Sequence, residues 1–322
     1  MPGSGSLSHF GIAKESSWAT FVVPTDFLKF NSESLTLEVE KLISAQLHAR
    51  RDEPNRYPGL GTIAGDSSHE LHPEGSSYLL HSFNSSVVST LVEAGVYSHV
   101  FKPTNSPFSV DCFLQPYSLE IHKDFSDEAF RFSGAVINAL TMEFSIGTKI
   151  AMITPSWIAK DVILGTQVTP SLETTRPFLW KDAVIKFDDV QFNYLEAFSF
   201  AGDQAIVGVP LLNNTDRIAA IESEGYRTGA LTMTFRPQDM TYWTKFKNYT
   251  PVKVEVTLTG DTIGVSSNYL LKLTFPRVII TAFAPVVEGP GRITVEATGD
   301  IEYDSSSGYM WEMELVNTKT AL

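Results

Sequence analysis

The amino-acid sequence predicts a mainly β fold made of two tandem copies of one unit, each a β-sandwich or open barrel with one short flanking helix. Three observations lead to this prediction. Strand-forming residues are abundant, since aromatic residues make up 11% of the 322 residues and hydrophobic residues 43%. Apolar and polar residues alternate in several segments, as they do in half-buried strands. Short sequence matches recur in the same order in the two halves of the chain.

Four segments alternate clearly enough to be assigned as strands with one face in a core. They are residues 35–41, 135–145, 293–298 and 311–315. The apolar residues expected to face the core are Leu35, Leu37, Val39, Leu140, Met142, Phe144, Ile293, Val295, Ala297, Trp311, Met313 and Leu315. The residues between them are mostly Glu, Thr and Ser, so we expect the opposite face of each strand to be exposed.

Two short helices are expected, each of them after a proline, which is favoured at helix starts. The first covers residues 74–83 and follows Pro73, and the second follows Pro237. The apolar residues of the two helices are expected to be Tyr78, Leu79, Phe83, Met240, Trp243 and Phe246.

Two stretches are expected to be long loops because they are rich in Gly, Pro, Asn and charged residues. They are residues 49–65 and 200–229. Residues 165–177 are polar and contain two prolines, which indicates a linker.

The internal repeat has four parts. The matched stretches are Lys29-Phe30-Asn31-Ser32 with Lys186-Phe187-Asp188-Asp189, then Gly65, Pro73 and Tyr78 with Gly229, Pro237 and Tyr242, then Tyr117, Leu119 and Ile121 with Tyr269, Leu271 and Leu273, and finally residues 132–140 with 275–283. Each match is weak alone, but their common order favours a duplication. The sequence therefore predicts an N-terminal arm at 1–24, a first domain at 25–164, the linker at 165–177 and a second domain at 178–322.

Charge and cysteine content exclude several classes of protein. The formal net charge is −13, which is the wrong sign for a protein that grips nucleic acid. Cys112 is the only cysteine, so neither an internal disulfide nor a cysteine metal cluster is expected, and its apolar neighbours predict a buried thiol. The N-terminal residues lack the pattern of a signal peptide, and no apolar run is long enough to cross a membrane.

Catalytic chemistry is not indicated, and the sequence predicts no enzyme, cofactor or metal. His69 and His72 flank Glu70 and Leu71, but zinc proteases place the two histidines four apart on a helix, and this segment is expected to be a strand. Gly59 and Gly61 lack the remaining spacing of a dinucleotide loop. A glycan-cleaving or glycan-binding β protein stays a third-ranked alternative, because carboxylates are numerous and a sequence does not show which of them converge.

Residues 11–34 carry a more specific pattern. The text Gly-Ile-Ala-Lys-Glu-Ser-Ser-Trp-Ala-Thr is followed by Pro-Thr-Asp-Phe and by Phe-Asn-Ser-Glu-Ser. Gly65-Asp66, Glu70-Leu71 and Pro73-Glu74-Gly75 extend it. This pattern resembles the tail tube proteins of long-tailed, non-contractile bacteriophages, and the close likeness covers about residues 10–80. Ser67 and Ser68 depart from it, since an aromatic residue is expected after Gly-Asp.

The resemblance implies a structural virion protein that assembles into stacked rings and forms the conduit for DNA ejection. Each tube domain would lend strands to an inner β-barrel shared by the ring, with a negative lumen that lets DNA pass without binding. The candidate lumen-facing residues are Glu38, Glu40, Glu143 and Glu296. The candidate inter-ring residues in the first long loop are Arg50, Arg51, Asp52, Arg56 and Tyr57. The long loop at 200–229 and the N-terminal arm are expected to bridge rings as well.

The resemblance also implies partners and a location. These are further copies of the chain, a tape-measure protein inside the tube, and tail terminator and distal tail proteins at its ends. The virion tail is the expected location, with assembly in the cytoplasm of the host bacterium. Two tube domains per chain predict trimeric, pseudo-hexameric rings, with hexameric rings as the alternative. A distal tail or tail terminator protein is the second-ranked function.

Overall fold

The computed structural model describes residues 3–213, 215–285, 289–320 and 322. Strands make up 55% of the chain and helices 7%, which confirms the mainly β fold. The strands form large antiparallel sheets that do not close into a barrel within one chain over these residues.

The elements follow one another along the chain in this order: β1 (His9–Lys14), β2 (Asp26–Leu28), β3 (Ser32–Glu33), β4 (Thr36–Ile43), β5 (Arg56–Glu70), α1 (Ser76–Asn84), β6 (Ser85–Glu93), β7 (Val96–Pro103), β8 (Tyr117–His122), β9 (Glu128–Ser145), β10 (Met152–Ala159), β11 (Asp161–Thr166), β12 (Ala183–Phe187), β13 (Val190–Gln191), β14 (Leu195–Asp203), β15 (Ile206–Val209), β16 (Ala220–Ser223), β17 (Thr228–Phe235), α2 (Thr241–Lys247), β18 (Val252–Ile263), β19 (Ser267–Pro285), β20 (Val295–Ile301) and β21 (Glu312–Asn317). The two helices lie where the sequence predicts them, each after its proline.

One antiparallel ladder runs through eight strands, in the order β4–β5–β10–β9–β14–β17–β20–β19. Four of them precede residue 165 and four follow residue 177. One face of this ladder is buried, and its core side chains include Leu140, Phe200, Leu231, Met233 and Ala297. We call these eight strands the continuous sheet. The alternation of apolar and polar residues that the sequence predicts determines which face of this sheet is buried.

A second layer covers the buried face of the continuous sheet. In the first half it is the ladder β2–β1–β8–β9–β11. In the second half it is the ladder β13–β12–β18–β19–β21, which continues into β7 and β6. The long strands β9 and β19 belong to both layers because each bends along its length. The main hydrophobic core lies between the layers and extends through both halves.

The two halves are therefore joined by more than the linker. β9 of the first half pairs with β14 of the second, and β7 pairs with β21. Inside the core, the rings of Phe83 and Trp311 stack with centroids 5.8 Å apart. These contacts bury apolar surface from both halves in one core.

The order of strand pairing recurs in the two halves. Each predicted sequence match can therefore be compared with the strands in which its residues lie. In β9 the extra residue of a β-bulge against β10 is Asn138, and in β19 the extra residue against β20 is Thr281. Each bulge lies six residues after the phenylalanine of the predicted match, Phe132 or Phe275. The match of residues 132–140 with 275–283 agrees with the strand pairing and with the positions of the bulges, and the duplication stays a prediction.

The other matches need correction. Tyr117 lies in β8, which occupies the place of β18, whereas Tyr269 lies in β19, so that match is wrong. Lys29 and Phe30 follow β2, whereas Lys186 and Phe187 lie in β12, so that match is wrong as well. Period-two apolar patterns look alike in neighbouring strands, which explains both errors. The prolines and tyrosines of the helix match do occupy equivalent places at α1 and α2.

Both predicted long loops contain strands, so their prediction is wrong in that respect. Residues 56–65 belong to β5, and the loop itself is confined to residues 44–55 between β4 and β5. Within 200–229 lie the end of β14, the two-stranded hairpin β15–β16 and the start of β17. Gly and polar residues occur in these strands because one face of each is exposed in part, and a Gly-rich, polar composition is also typical of loops.

The predicted alternation holds for most of the assigned strands. Val39 and Ile293 are exceptions, being 42% and 45% exposed, because β4 lies at the edge of the continuous sheet and Ile293 precedes β20. Residues 167–177 have no regular strand or helix and lie against the first half, where the carbonyl of Thr175 accepts from His72 Nδ1 at 2.9 Å. The N-terminal segment is packed rather than free over residues 9–14, since β1 places Phe10 and Ile12 in the core.

Candidate functional surface

The exposed face of the continuous sheet is the first candidate functional surface. Residues directly opposite each other on paired strands lie on the same face. One row across the sheet pairs Glu143 with Ser199, Ser199 with Thr232, and Thr232 with Thr298. The neighbouring row on the same face joins Ser145, Ala197, Thr234 and Glu296. Glu143 and Glu296 therefore project from one face.

Glu38 and Glu40 share that face at the β4 edge. Glu38 lies opposite Thr62 of β5, two positions from Ala64, which is opposite Ile158 of β10. Glu40 follows Glu38 by one period of the strand, beside a bulge in β5, and its Oε2 accepts a hydrogen bond from the backbone of Leu60 at 3.4 Å. All four glutamates are exposed. The structure thus brings the four predicted residues onto one surface.

Further carboxylates occupy this face that the sequence analysis did not single out. Asp66 and Asp203 lie in one row, linked through Ser156 and Ala139. Glu70 lies opposite Met152, and Asp300 lies opposite Ala230. Their period-two spacing is visible in the sequence, but Glu70 stood in the histidine motif and Asp203 in a predicted loop. The register of the paired strands is needed to show that these carboxylates lie on the acidic side of the sheet.

The charged residues at the paired positions of this face are all acidic. Its remaining paired positions are mostly Thr, Ser and Ala, with larger apolar or aromatic side chains at Leu42, Tyr57, Val136, Met152, Ile158 and Ile279. None of the paired positions of this face in the described strands carries Lys or Arg. We call this surface the acidic face; its carboxylates are Glu38, Glu40, Asp66, Glu70, Glu143, Asp203, Glu296 and Asp300. Fixed negative charge without counter-charges repels a polyanion such as the phosphate backbone of DNA.

The continuous sheet ends in two unpaired edges. Among the described residues, β4 pairs with β5 alone and the C-terminal part of β19, from Ile279 to Pro285, pairs with β20 alone. Each edge presents backbone donors and acceptors to solvent, which is a template for pairing with another strand. The acidic face and the two open edges belong to the same sheet.

The second candidate surface is the end of the hairpin formed by β4 and β5. Arg50, Arg51 and Asp52 lie in the loop 44–55, and Arg56 and Tyr57 begin β5. All five are exposed, and Arg56 pairs with Glu53 at 2.9 Å. Leu47 in the same loop is fully exposed. The structure therefore gathers the predicted residues at one end of the sheet, on a surface that mixes charged and apolar groups.

The hairpin β15–β16 is placed differently, since it packs back onto the first half. Ile206, Ile218 and Ile221 form a small core with Cys112 and Val136. The backbone N–H of Gly61 donates to the carbonyl of Asp216 at 2.7 Å, and Arg217 pairs with Asp161 at 3.2 Å. Cys112 is buried as predicted, and burial raises the pKa of its thiol to about 12.

The histidine motif has a structural role. Ser67 Oγ accepts a hydrogen bond from the indole of Trp157 at 2.8 Å, and it lies 2.8 Å from His69 Nε2. His69 Nδ1 lies 2.9 Å from the carbonyl of Lys29. Burial lowers the pKa of His69 to about 4, so the ring is neutral at pH 7. No cluster of three or more metal-binding side chains occurs in the described part of the chain.

Membrane crossing by a helix is also not indicated: within the described ranges, neither helix has the length and apolarity for it.

Comparison with known proteins gives one family. The family model for phage tail tube proteins matches residues 5–303, which is nearly the whole chain. A search of curated proteins found no match. The family's role is structural, in the virion tail, where its members associate with one another. With its open antiparallel sheet and a family match of this length, the chain belongs to the phage tail tube protein family.

Proposed function

We propose that this chain is the ring subunit of the tail tube of a long-tailed, non-contractile phage, and that DNA passes through the tube during ejection. The acidic face is the observation that carries the proposal. A sheet that is buried on one face, acidic on the other and open at both edges has the properties of a barrel segment lining a channel for DNA. Glu38, Glu40, Glu143 and Glu296 would line the lumen.

The proposed ring contains three chains. Each chain would contribute two tube domains, residues 25–164 and 178–322, joined by the linker 165–177. The recurrence of the pairing order and of the bulges at Asn138 and Thr281 supports two equivalent domains. With four strands of the continuous sheet from each, three chains would complete a pseudo-hexameric barrel of about 24 strands.

Contacts between rings are proposed for the exposed hairpin end with Arg50, Arg51, Asp52, Arg56 and Tyr57. Its charged groups and the fully exposed Leu47 are available for contact with another copy. Other proposed partners are a tape-measure protein within the tube and tail terminator and distal tail proteins at its ends. Assembly is proposed to occur in the host cytoplasm.

Negative-stain electron microscopy of the purified chain, with class averages along the ring axis, tests this proposal. We expect stacked rings or hollow tubes, with three chains per ring by native mass spectrometry. Single rings that never stack would favour a distal tail or terminator role, and six chains per ring would refute the trimer. A stable monomer that cleaves glycans would refute the tube role altogether.

A further inference from the structure

We infer that the edge of β19 pairs antiparallel with the edge of β4 of a second copy, in a register that places Ala284 opposite Thr36, Phe283 opposite Leu37 and Ala282 opposite Glu38. This inference rests on the proposed ring and adds the contact that closes it.

The chain contains its own template for this contact. β9 of the first half pairs antiparallel with β14 of the second half, with Thr141 opposite Ala201 and Ala139 opposite Asp203. This ladder joins the last sheet strand of one half to the first sheet strand of the next. The corresponding strands are the C-terminal part of β19 and β4, each of which lacks a partner on one side among the described residues.

β4 in the first half and β14 in the second half have equivalent positions in the sheet. The strand pairing shows which of their residues correspond. In the first half, Val136 lies opposite Ile158, Ile158 opposite Ala64, and Ala64 opposite Thr36. This path starts two residues before the bulge at Asn138.

The same path in the second half starts two residues before the bulge at Thr281. Ile279 lies opposite Asp300, Asp300 opposite Ala230, and Ala230 opposite Ala201. Both paths cross the same strands in the same order, so Thr36 occupies the place of Ala201.

The bulges also relate β9 to β19. Thr141 follows the bulge residue Asn138 by three positions, and Ala284 follows Thr281 by three. Because Thr141 lies opposite Ala201 within the chain, Ala284 should lie opposite Thr36 between chains. The remaining pairs follow by antiparallel counting, which places Glu38 where the first template ladder has Asp203.

The side chains fit this register. Leu37 and Phe283 are each partly buried against the core from one side, and as a pair they would shield each other's exposed surface. Ala282 and Ala284 are exposed and lie beside Glu38 and Thr36 on the acidic face. A slip by one residue would place Phe283 opposite Thr36 or Glu38 and would join the buried face of one copy to the acidic face of the next.

The register also satisfies barrel closure. A row in the second half runs from Phe198 through Met233 and Ala297 to Phe283, and would continue to Leu37 of the next copy. Leu37 is equivalent to Gly202 of β14, which lies four residues after Phe198, where the row began. The row is therefore displaced by about four residues along the strand for every four strands crossed. Six domains give a total stagger of about 24 residues for about 24 strands. Equal strand number and stagger correspond to a strand tilt of about 36°, within the usual range for barrels.

Disulfide cross-linking between chains tests the register, since directly opposite residues of antiparallel strands have the Cα separation that a disulfide needs. The variant carries Glu38→Cys and Ala282→Cys in a Cys112→Ala background, and the cysteines would lie at exposed positions. Under mild oxidation we expect most chains to migrate as covalent dimers and trimers in non-reducing gels. A matched control carries Thr36→Cys with Ala282→Cys, which shifts the pair by two residues on the same face, and should cross-link at least tenfold less.

The outcomes separate this inference from the proposed function. Preferential cross-linking of the control pair would refute the register. Rings in the microscope without cross-linking of either pair would refute the β19–β4 contact and leave the ring proposal standing. Absence of rings for the unmodified chain would refute the ring proposal itself.

Discussion

The indole nitrogen of Trp311 donates a hydrogen bond to Asn84 Oδ1 at 2.9 Å, and both side chains are fully buried. Asn84 ends α1 in the first half, and Trp311 precedes β21 in the second. Asn84 also donates to the carbonyl of Leu80 at 2.9 Å. This bond therefore links the end of a helix in one half to the core of the other.

Replacing Asn84 with Ala should destabilise the fold by about 1–3 kcal/mol, because it leaves the buried indole N–H without its acceptor. Chemical denaturation followed by tryptophan fluorescence measures this loss. Asn55→Ala in the exposed loop is the control and should change the free energy of unfolding by less than about 0.5 kcal/mol. Equal effects of the two substitutions would contradict a stabilising role for the Asn84 contact.

A dependence of stability on pH is expected from His69. Its folded pKa is lowered from 6.5 to about 4 by burial, so the unfolded chain takes up the proton first as the pH falls. This histidine should therefore remove about 2 kcal/mol of stability between pH 7 and pH 5.

The test is the free energy of unfolding as a function of pH for His69→Gln and for His48→Gln. The first substitution should flatten the curve between pH 7 and pH 5. The second, in the exposed loop, should leave its slope unchanged. A curve of the same steepness in His69→Gln would show that other groups cause the acid destabilisation.

Reversing charge on the acidic face should impair DNA passage without preventing assembly. We expect Glu143→Lys with Glu296→Lys to form rings and tubes normally, because both side chains are exposed in the monomer and neither lies on the edge strands β4 and β19. DNA ejection from virions that carry the variant should slow, because lysines in the lumen would attract phosphates. Glu128→Lys at the start of β9, outside the acidic face, is the control. Ejection kinetics that match in the two variants would contradict the lumen assignment.

Charge reversal in the loop 44–55 should weaken stacking of rings. We expect Arg50→Glu with Arg51→Glu to leave ring formation intact and to shorten tubes at least severalfold, measured by electron microscopy at equal protein concentration. Lys247→Glu at the end of α2 is a control with an exposed basic residue elsewhere. Tubes of normal length in the double variant would exclude these arginines from the contact between rings.

The sequence was sufficient for the fold class, for both helices and for the buried faces of most strands. These features depend on local patterns: alternation around Leu140 and Met142 follows from the strand period, and each helix follows a proline. The family resemblance found in residues 10–80 was confirmed by a family match over residues 5–303.

Pairing between distant strands was not predictable in the same way. Whether Tyr117 corresponds to Tyr269 depends on which strands neighbour β8, and a period-two pattern is the same for each of them. Asp66 and Asp203 are far apart in the sequence and share a row only through β10 and β9. The acidic face depends on the register between paired strands. That register cannot be read from the order of residues along one strand.

The ladder between β9 and β14 also has a consequence for the kinetics of assembly. Because it forms within one chain, its strands meet at an effective concentration that does not fall when the protein is diluted. Half of the contacts between domains in the proposed ring would thus be independent of dilution. We expect rings to persist at lower concentrations than rings of six separate domains, and closure to require the encounter of three molecules.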